Sequence, residues 1–207
     1  MIFVDELKWA FGVMLHPEQN TKKTMDSIEA FLMYYKASLI PVLIAIIIEV
    51  ILGSLLWSSI ISSIQPFVSS IPIIGSIIGP VIGAFAASIF VALLIAATIL
   101  LVWIIIPLSV FLNSIIYHVV GKYIFRIFKN EFDTTASAFA YSVAPYAALA
   151  WTIAIPAINI LVFIIAAGWQ ITILVYSLAN QEEISKTKAG LLIFVLGIIA
   201  SIVWLII

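Results

Sequence analysis

The 207-residue chain has no cysteine and few charged residues, 9% of the total. Without cysteine there can be no disulfide, no thiolate-held zinc or iron–sulfur cluster and no thiol chemistry, and the redox compartment is left open. The shortage of charge excludes more. A soluble domain carries roughly a quarter charged residues, so water cannot be the solvent for most of this surface. Net charge is −1, which leaves no basic field for nucleic acid. The opening Met1-Ile2-Phe3-Val4-Asp5-Glu6 has acids where a signal peptide would have bases. Two histidines, His16 and His118, without acids at matching spacing make no metal site. There is no P-loop, dinucleotide fingerprint, nucleophile elbow or zinc-protease helix, so neither cofactor nor enzyme activity is expected.

What is present is apolar: 65% of residues are hydrophobic, in long runs. No Asp, Glu, Lys or Arg occurs from Val50 to Gly121, or from Thr134 to Gln181. A membrane-crossing helix needs roughly 20 apolar residues to clear a core of about 30 Å. The expected fold is therefore an all-α integral membrane protein, a bundle of about five transmembrane helices. Its spans fall near 37–57, 81–106, 137–155, 160–179 and 189–207. Pro41 falls in the first turn of the first span, where its missing N–H costs little. Residues 58–80 are broken by Gln65-Pro66, Pro72, Gly75, Gly79 and Pro80, which argues against a straight span there. Leu108 to Val120 extends the second span past Pro107, as a kinked continuation or an interfacial piece.

Residues 1–36 form a separate unit in this reading. Apolar Ile2, Phe3, Leu7, Trp9, Phe11 and Met14 alternate with Asp5, Glu6 and Lys8; after Pro17, Ile28, Phe31 and Leu32 recur among charges. That pattern predicts amphipathic helices on the cytoplasmic surface ahead of a membrane domain over 37–207.

Cytoplasmic loops are enriched in Lys and Arg. With two spans between Lys36 and Lys122, all nine bases share one side. The basic face would then include Lys122, Arg126 and Lys129, with Lys186 and Lys188 beside it. The N-terminus is expected to be cytoplasmic and Ile207 outside, in a multi-pass protein of the cell membrane.

Several residues stand out as candidates for function. Glu49 lies near the middle of the first span, where an acid costs roughly 2.5–3.5 kcal/mol on insertion scales. It must face protein, water or a proton. Depth counting places Gln170 as its partner. Asn113 and His118 lie near the cytoplasmic end of the second span, with His118 expected as a satisfied interfacial histidine. Gly75, Gly79 and Gly83, followed by Ala87, form a small-residue ridge suited to helix packing.

Three stretches carry a family resemblance. These are Val13-Met14-Leu15-His16-Pro17; Lys129-Asn130-Glu131-Phe132-Asp133-Thr134 followed by Tyr141-Ser142-x-x-Pro145; and Leu174 to Leu192, with Ser185-Lys186-Thr187-Lys188-Ala189 as a polar turn. Together they resemble the prokaryotic branch of the Yip-domain family, the Ypt/Rab-interacting membrane proteins. The resemblance implies five spans, a cytoplasmic N-terminus and a role in membrane organisation or trafficking. The eukaryotic D-L-Y-G-P signature is absent and Ala140 stands where that family has glycine, so GTPase binding is not carried over.

The expected function is a non-enzymatic membrane scaffold whose partners are lipids, a second copy or another membrane protein. The alternative is a small transporter or channel using Glu49 as an intramembrane ion or proton site; few polar residues line the spans to hydrate such a path.

Overall fold

A computed structural model describes residues 2–22, 25–68 and 74–206, with side chains for all of these but 2–3, 64–68, 74–82, 156–157 and 203–206. Every regular element among them is helical: α1 (Ile2–Leu15), α2 (Pro17–Asn20), α3 (Ser27–Val68), α4 (Ile74–Leu100), α5 (Ile106–Val119), α6 (Phe132–Ser142), α7 (Ala144–Leu149), α8 (Pro156–Gln181) and α9 (Lys186–Ile206). Three helical stretches are long and apolar enough to cross a membrane: Ser27–Ser63, Gly83–Ile124 and Ile158–Gln181.

The structure alters the expected boundaries in four places. First, the division at residues 36/37 falls inside α3, which runs unbroken for 42 residues. Asp26 starts that helix by accepting the Glu29 backbone N–H at 2.6 Å, an N-cap that satisfies one of the free amide donors of the first turn. Pro41 is therefore well inside the helix, not in its first turn, and α3 also continues through Pro66. At about 1.5 Å per residue α3 is some 63 Å long, about twice the hydrocarbon core. Second, a new amphipathic helix does not extend from Pro17: α2 has only four residues, and the next helix begins at Ser27.

Third, the second span does not stop at 106. Helix continues from Ile74 to Ile124 through two π-helical turns, Leu101–Ile105 and Val120–Ile124. The first of these turns ends just before Pro107. Pro107 has no N–H to give the carbonyls of Trp103 or Val102, four and five residues back. The hydroxyls of Tyr34 and Tyr35 on α3 supply the missing donors, to Val102 O at 2.7 Å and Trp103 O at 3.0 Å.

Fourth, the expected span 137–155 is not one helix. It consists of α6, α7 and a 3₁₀ turn, Ala150–Ala154. Pro145 cannot donate to the Tyr141 carbonyl, so α6 ends at Ser142 and helix restarts at Ala144. Thr135 through Pro145 are all buried, enclosed by α3, α5 and α8. Their small side chains (Ala136, Ser137, Ala138, Ala140) let neighbouring backbones approach closely, and the Ser177 hydroxyl of α8 donates to Ala138 O at 2.9 Å.

The N-terminal helix is not a free surface element. It packs on α3 and α7, burying Ala10 and Val13, with Trp9 5.8 Å from the Tyr141 ring. The Trp169 indole of α8 donates to Met14 O at its far end. Helix α9 follows α8 after a tight turn in which Glu183 adopts φ 53. Ser185 caps it, its hydroxyl oxygen accepting the Lys188 N–H at 3.3 Å.

Candidate functional site

Glu49 is 5% exposed and lies between α3 and α4. The Thr98 hydroxyl of α4 donates to its Oε1, while Oε2 is buried without a partner among the described residues. The expected pairing with Gln170 does not form. Gln170 instead lines a cleft of about 900 Å³ bounded by α5, α6, α8 and α9, with Tyr117, Phe139, Leu174 and Phe194. Depth counting could not say which face of α8 carries Gln170, and that face looks away from α3.

Close packing along the α3–α4 pair explains why Glu49 is sealed. A Cβ on Gly53 would meet Val91 Cγ2 at 2.8 Å, and one on Gly83 would meet Ile61 Cδ1 at 2.9 Å. The Trp57 indole N–H donates to Gly83 O at 2.6 Å, and its ring stacks on Phe90. Gly83 thus packs within the chain, against α3. The packing of Gly75 and Gly79, the rest of the expected ridge, lies outside the described residues.

A second polar group was not foreseen from sequence. Thr135 donates to Glu182 Oε1 at 2.5 Å, and His118 Nδ1 lies 2.8 Å from Thr135 Oγ1; all three residues are buried. The trio joins the ends of α5, α6 and α8. Burial pushes the Glu182 carboxyl above its ordinary range, against the opposing pull of the Thr135 hydroxyl, the Asn130 backbone N–H and Lys122. His118 packs edge-on to Phe132, so it is satisfied, but by a threonine 17 residues on. The signal in the sequence was Glu182, the first acid after the second uncharged run.

The family-like residues fall at the α6–α7 break. Tyr141 is fully buried, Ser142 donates to Phe139 O at 2.7 Å, and Pro145 sits in the first turn of α7. Of the basic face, Lys122 donates to Asn130 O at 3.0 Å, while Arg126 and Lys129 are exposed. Arg126 takes φ 53 in the turn that folds residues 125–131 back. That return rests on Gly121, because a Cβ there would meet the Phe128 ring at 2.6 Å.

Three polar segments converge at one end of the bundle. Ser27 donates to Asp133 through its N–H (3.0 Å) and hydroxyl (2.5 Å). Asn130 donates to Gln181 O at 2.9 Å, Gln181 to Thr21 O at 2.8 Å, and Asn180 to Thr21 Oγ1 at 2.8 Å. Lys186 pairs with Glu18 at 3.0 Å and lies 4.4 Å from the Tyr176 ring centre. Glu18, Thr21, Ser27, Asn130, Asp133, Asn180, Gln181 and Lys186 therefore form one contiguous polar end. Among the described residues no group of three or more His, Asp or Glu is placed to hold a metal.

Comparison with protein-family models, with curated proteins and with solved structures yields no match.

Proposed function

We propose that this chain is a non-enzymatic, multi-pass membrane scaffold that organises its membrane by packing against partner helices and lipids. The observation that carries the reading is the seclusion of Glu49. An ion or proton carrier needs a hydrated path to its acid, whereas Glu49 is bonded to Thr98 and lines none of the described cavities. The rival reading, a transporter or channel acting through Glu49, has no such path in its favour.

Support for helix packing comes from α9. Gly190 and Gly197 line the large cleft, and a Cβ added at either would meet nothing within 4 Å. Gly168 of α8 is equally open, whereas Gly53, Gly83 and Gly121 each admit a neighbour. On this reading the open glycine face receives a helix of a second copy or of another membrane protein, since close approach of small residues holds helices together in lipid.

The same reading puts the convergent polar end in the cytoplasm. From it α3 leads away, residues 74–124 return, α6 and α7 lead away, α8 returns and α9 leads away: five passes, with the third one broken and enclosed by the others. The motif resemblance to the prokaryotic Yip-domain branch fits this membrane-organising role, with no GTPase partner carried over.

The test is reconstitution of the full chain in liposomes, measuring ion and proton flux alongside in-membrane cross-linking. Cross-linked dimers or partner complexes without flux support the scaffold. A saturable flux lost in Glu49→Gln, with only monomers cross-linked, refutes it.

A further inference from the structure

At the polar end, α9 begins with two lysines in its first turn and no acid. Cations there oppose the helix dipole, whose positive end favours anions. Lys186 is neutralised by Glu18. Lys188 has no ion-pair partner among the described residues. It lines a pocket of about 250 Å³ whose other walls are wholly apolar: Phe125, Ile127, Leu191, Leu192 and Val195. Arg126, exposed and also without an ion pair among the described residues, lies in the chain between two of those wall residues without itself lining the pocket, and Lys129 follows three residues on. The acids of these segments do not answer the charge. Glu182 is buried against Thr135, Asp133 is bonded to Ser27, and among the described residues neither Glu131 nor Glu183 pairs with a base.

Apolar walls beside unanswered bases, at the end of a helix of membrane-spanning length, form a surface with the two-part chemistry of an amphiphile. We propose that this pocket binds an anionic phospholipid, its phosphate held by Lys188 and Arg126 and its first acyl carbons lying against Phe125, Leu191 and Val195. Basic pockets at the cytoplasmic ends of membrane helices suit anionic headgroups in this way. A zwitterionic lipid would bring its own cation to the same bases and gain less. The proposal rests on the membrane reading above, but not on self-association or on the absence of flux.

The test is native mass spectrometry of the full-length protein in detergent, titrated with phosphatidylglycerol or with phosphatidylcholine of the same acyl chains. Wild type should prefer phosphatidylglycerol by roughly 5- to 30-fold, the range one or two interfacial bases supply. Lys188→Gln with Arg126→Gln should lose that preference. Lys8→Gln, at an exposed base paired with Asp5, should keep it. Circular dichroism of each variant checks the fold, and a single Lys188→Gln variant, with a partial loss expected, stands in if the double variant fails to fold. Equal binding of both lipids by wild type, or a preference that survives the substitutions, would overturn the proposal. So would displacement of the lipid by inorganic phosphate at equal concentration, which would mark a free-anion site. Because native mass spectrometry counts lipids on whichever species it resolves, a failed cross-linking or a positive flux result would sink the scaffold without touching the lipid site.

Discussion

The Thr98 hydroxyl donates to the Glu49 carboxyl across the α3–α4 interface, both side chains buried. The bond joins the one acid in the apolar stretch of α3 after Lys36 to α4, in a setting where an unmet partner cannot turn to water. Thr98→Val removes the donor and should cost roughly 1–3 kcal/mol, the penalty of leaving a buried polar group unsatisfied. Glu49→Gln keeps an acceptor oxygen and should be milder than Glu49→Leu, which strands the hydroxyl. Thermal unfolding in detergent gives the order directly. A Gln variant as damaged as the Leu variant would contradict this account of the pair.

Tyr35 and Pro107 should be energetically coupled. The Tyr35 hydroxyl serves the Trp103 carbonyl, which Pro107 cannot serve because it has no N–H. Tyr35→Phe should therefore destabilise wild type by about 1 kcal/mol. In a Pro107→Ala background, where an N–H becomes available, the same change should cost distinctly less. A double-mutant cycle measures the coupling, and simple additivity would refute the assignment.

Glu182 sets a pH dependence whose sign follows from its burial. Its carboxyl is raised above the ordinary value in the fold, chiefly by desolvation. A raised carboxyl stabilises the fold when protonated, below its unfolded value, and that contribution is lost as pH rises through the folded value. At neutral pH Glu182→Gln, which keeps an acceptor for Thr135 and Asn130, should be at least as stable as wild type. The difference should shrink as pH falls toward the ordinary carboxyl range. The Glu18 carboxyl is lowered by its bond to Lys186 and trends oppositely, but both proteins carry it, so it cancels. A gap that widened on acidification would show the sign to be wrong.

How much of this was legible beforehand depends on what each feature needs. Helices long and apolar enough to cross a membrane follow from uncharged runs, which are one-dimensional. The seclusion of Glu49 was also foreseeable, because an acid amid apolar residues has few places to go. Its partner was not: Thr98 and Gln170 differ in which face of a helix they occupy, and helix rotation is set by packing. The unbroken α3 through Pro41 was misjudged, and the continuation past Pro107 was left as one of two alternatives, for a related reason. Proline removes a donor, but whether the helix breaks depends on what else serves the carbonyl, here Tyr34 and Tyr35 from a helix some 70 residues earlier. The His118–Thr135–Glu182 group assembles three helix ends and has no spacing to detect.

Glycine positions separate internal packing from open surface. Gly121→Ala should cost roughly 1–3 kcal/mol, since the new methyl meets the Phe128 ring at 2.6 Å and must displace it. Gly190→Ala and Gly197→Ala meet nothing and should be neutral or stabilise the isolated protein, by up to about 1 kcal/mol. Equal losses at all three positions would contradict the packing described.

Topology is the most direct test of the arrangement, and two independent observations lead to the same outcome. One is electrostatic: an even number of passes between Lys36 and Lys122 would put all nine bases of the chain on one side, as the positive-inside rule requires. The other is geometric: Ser27 bonds Asp133, Asn130 bonds Gln181, and Thr21 bonds both Asn180 and Gln181, so the segments carrying most of those bases touch one another. Segments in hydrogen-bond contact cannot face opposite compartments. Native cysteine is absent, so single cysteines report cleanly. A cysteine at Ser185 or Lys129, both exposed, should resist a membrane-impermeant maleimide in intact cells and react after permeabilisation. One at Ser63, toward the far end of α3, should react from outside. Labelling of Ser185→Cys in intact cells would invert the orientation. Opposite sidedness of the 129 and 185 positions would break the even count itself, and with it the contacts that join them.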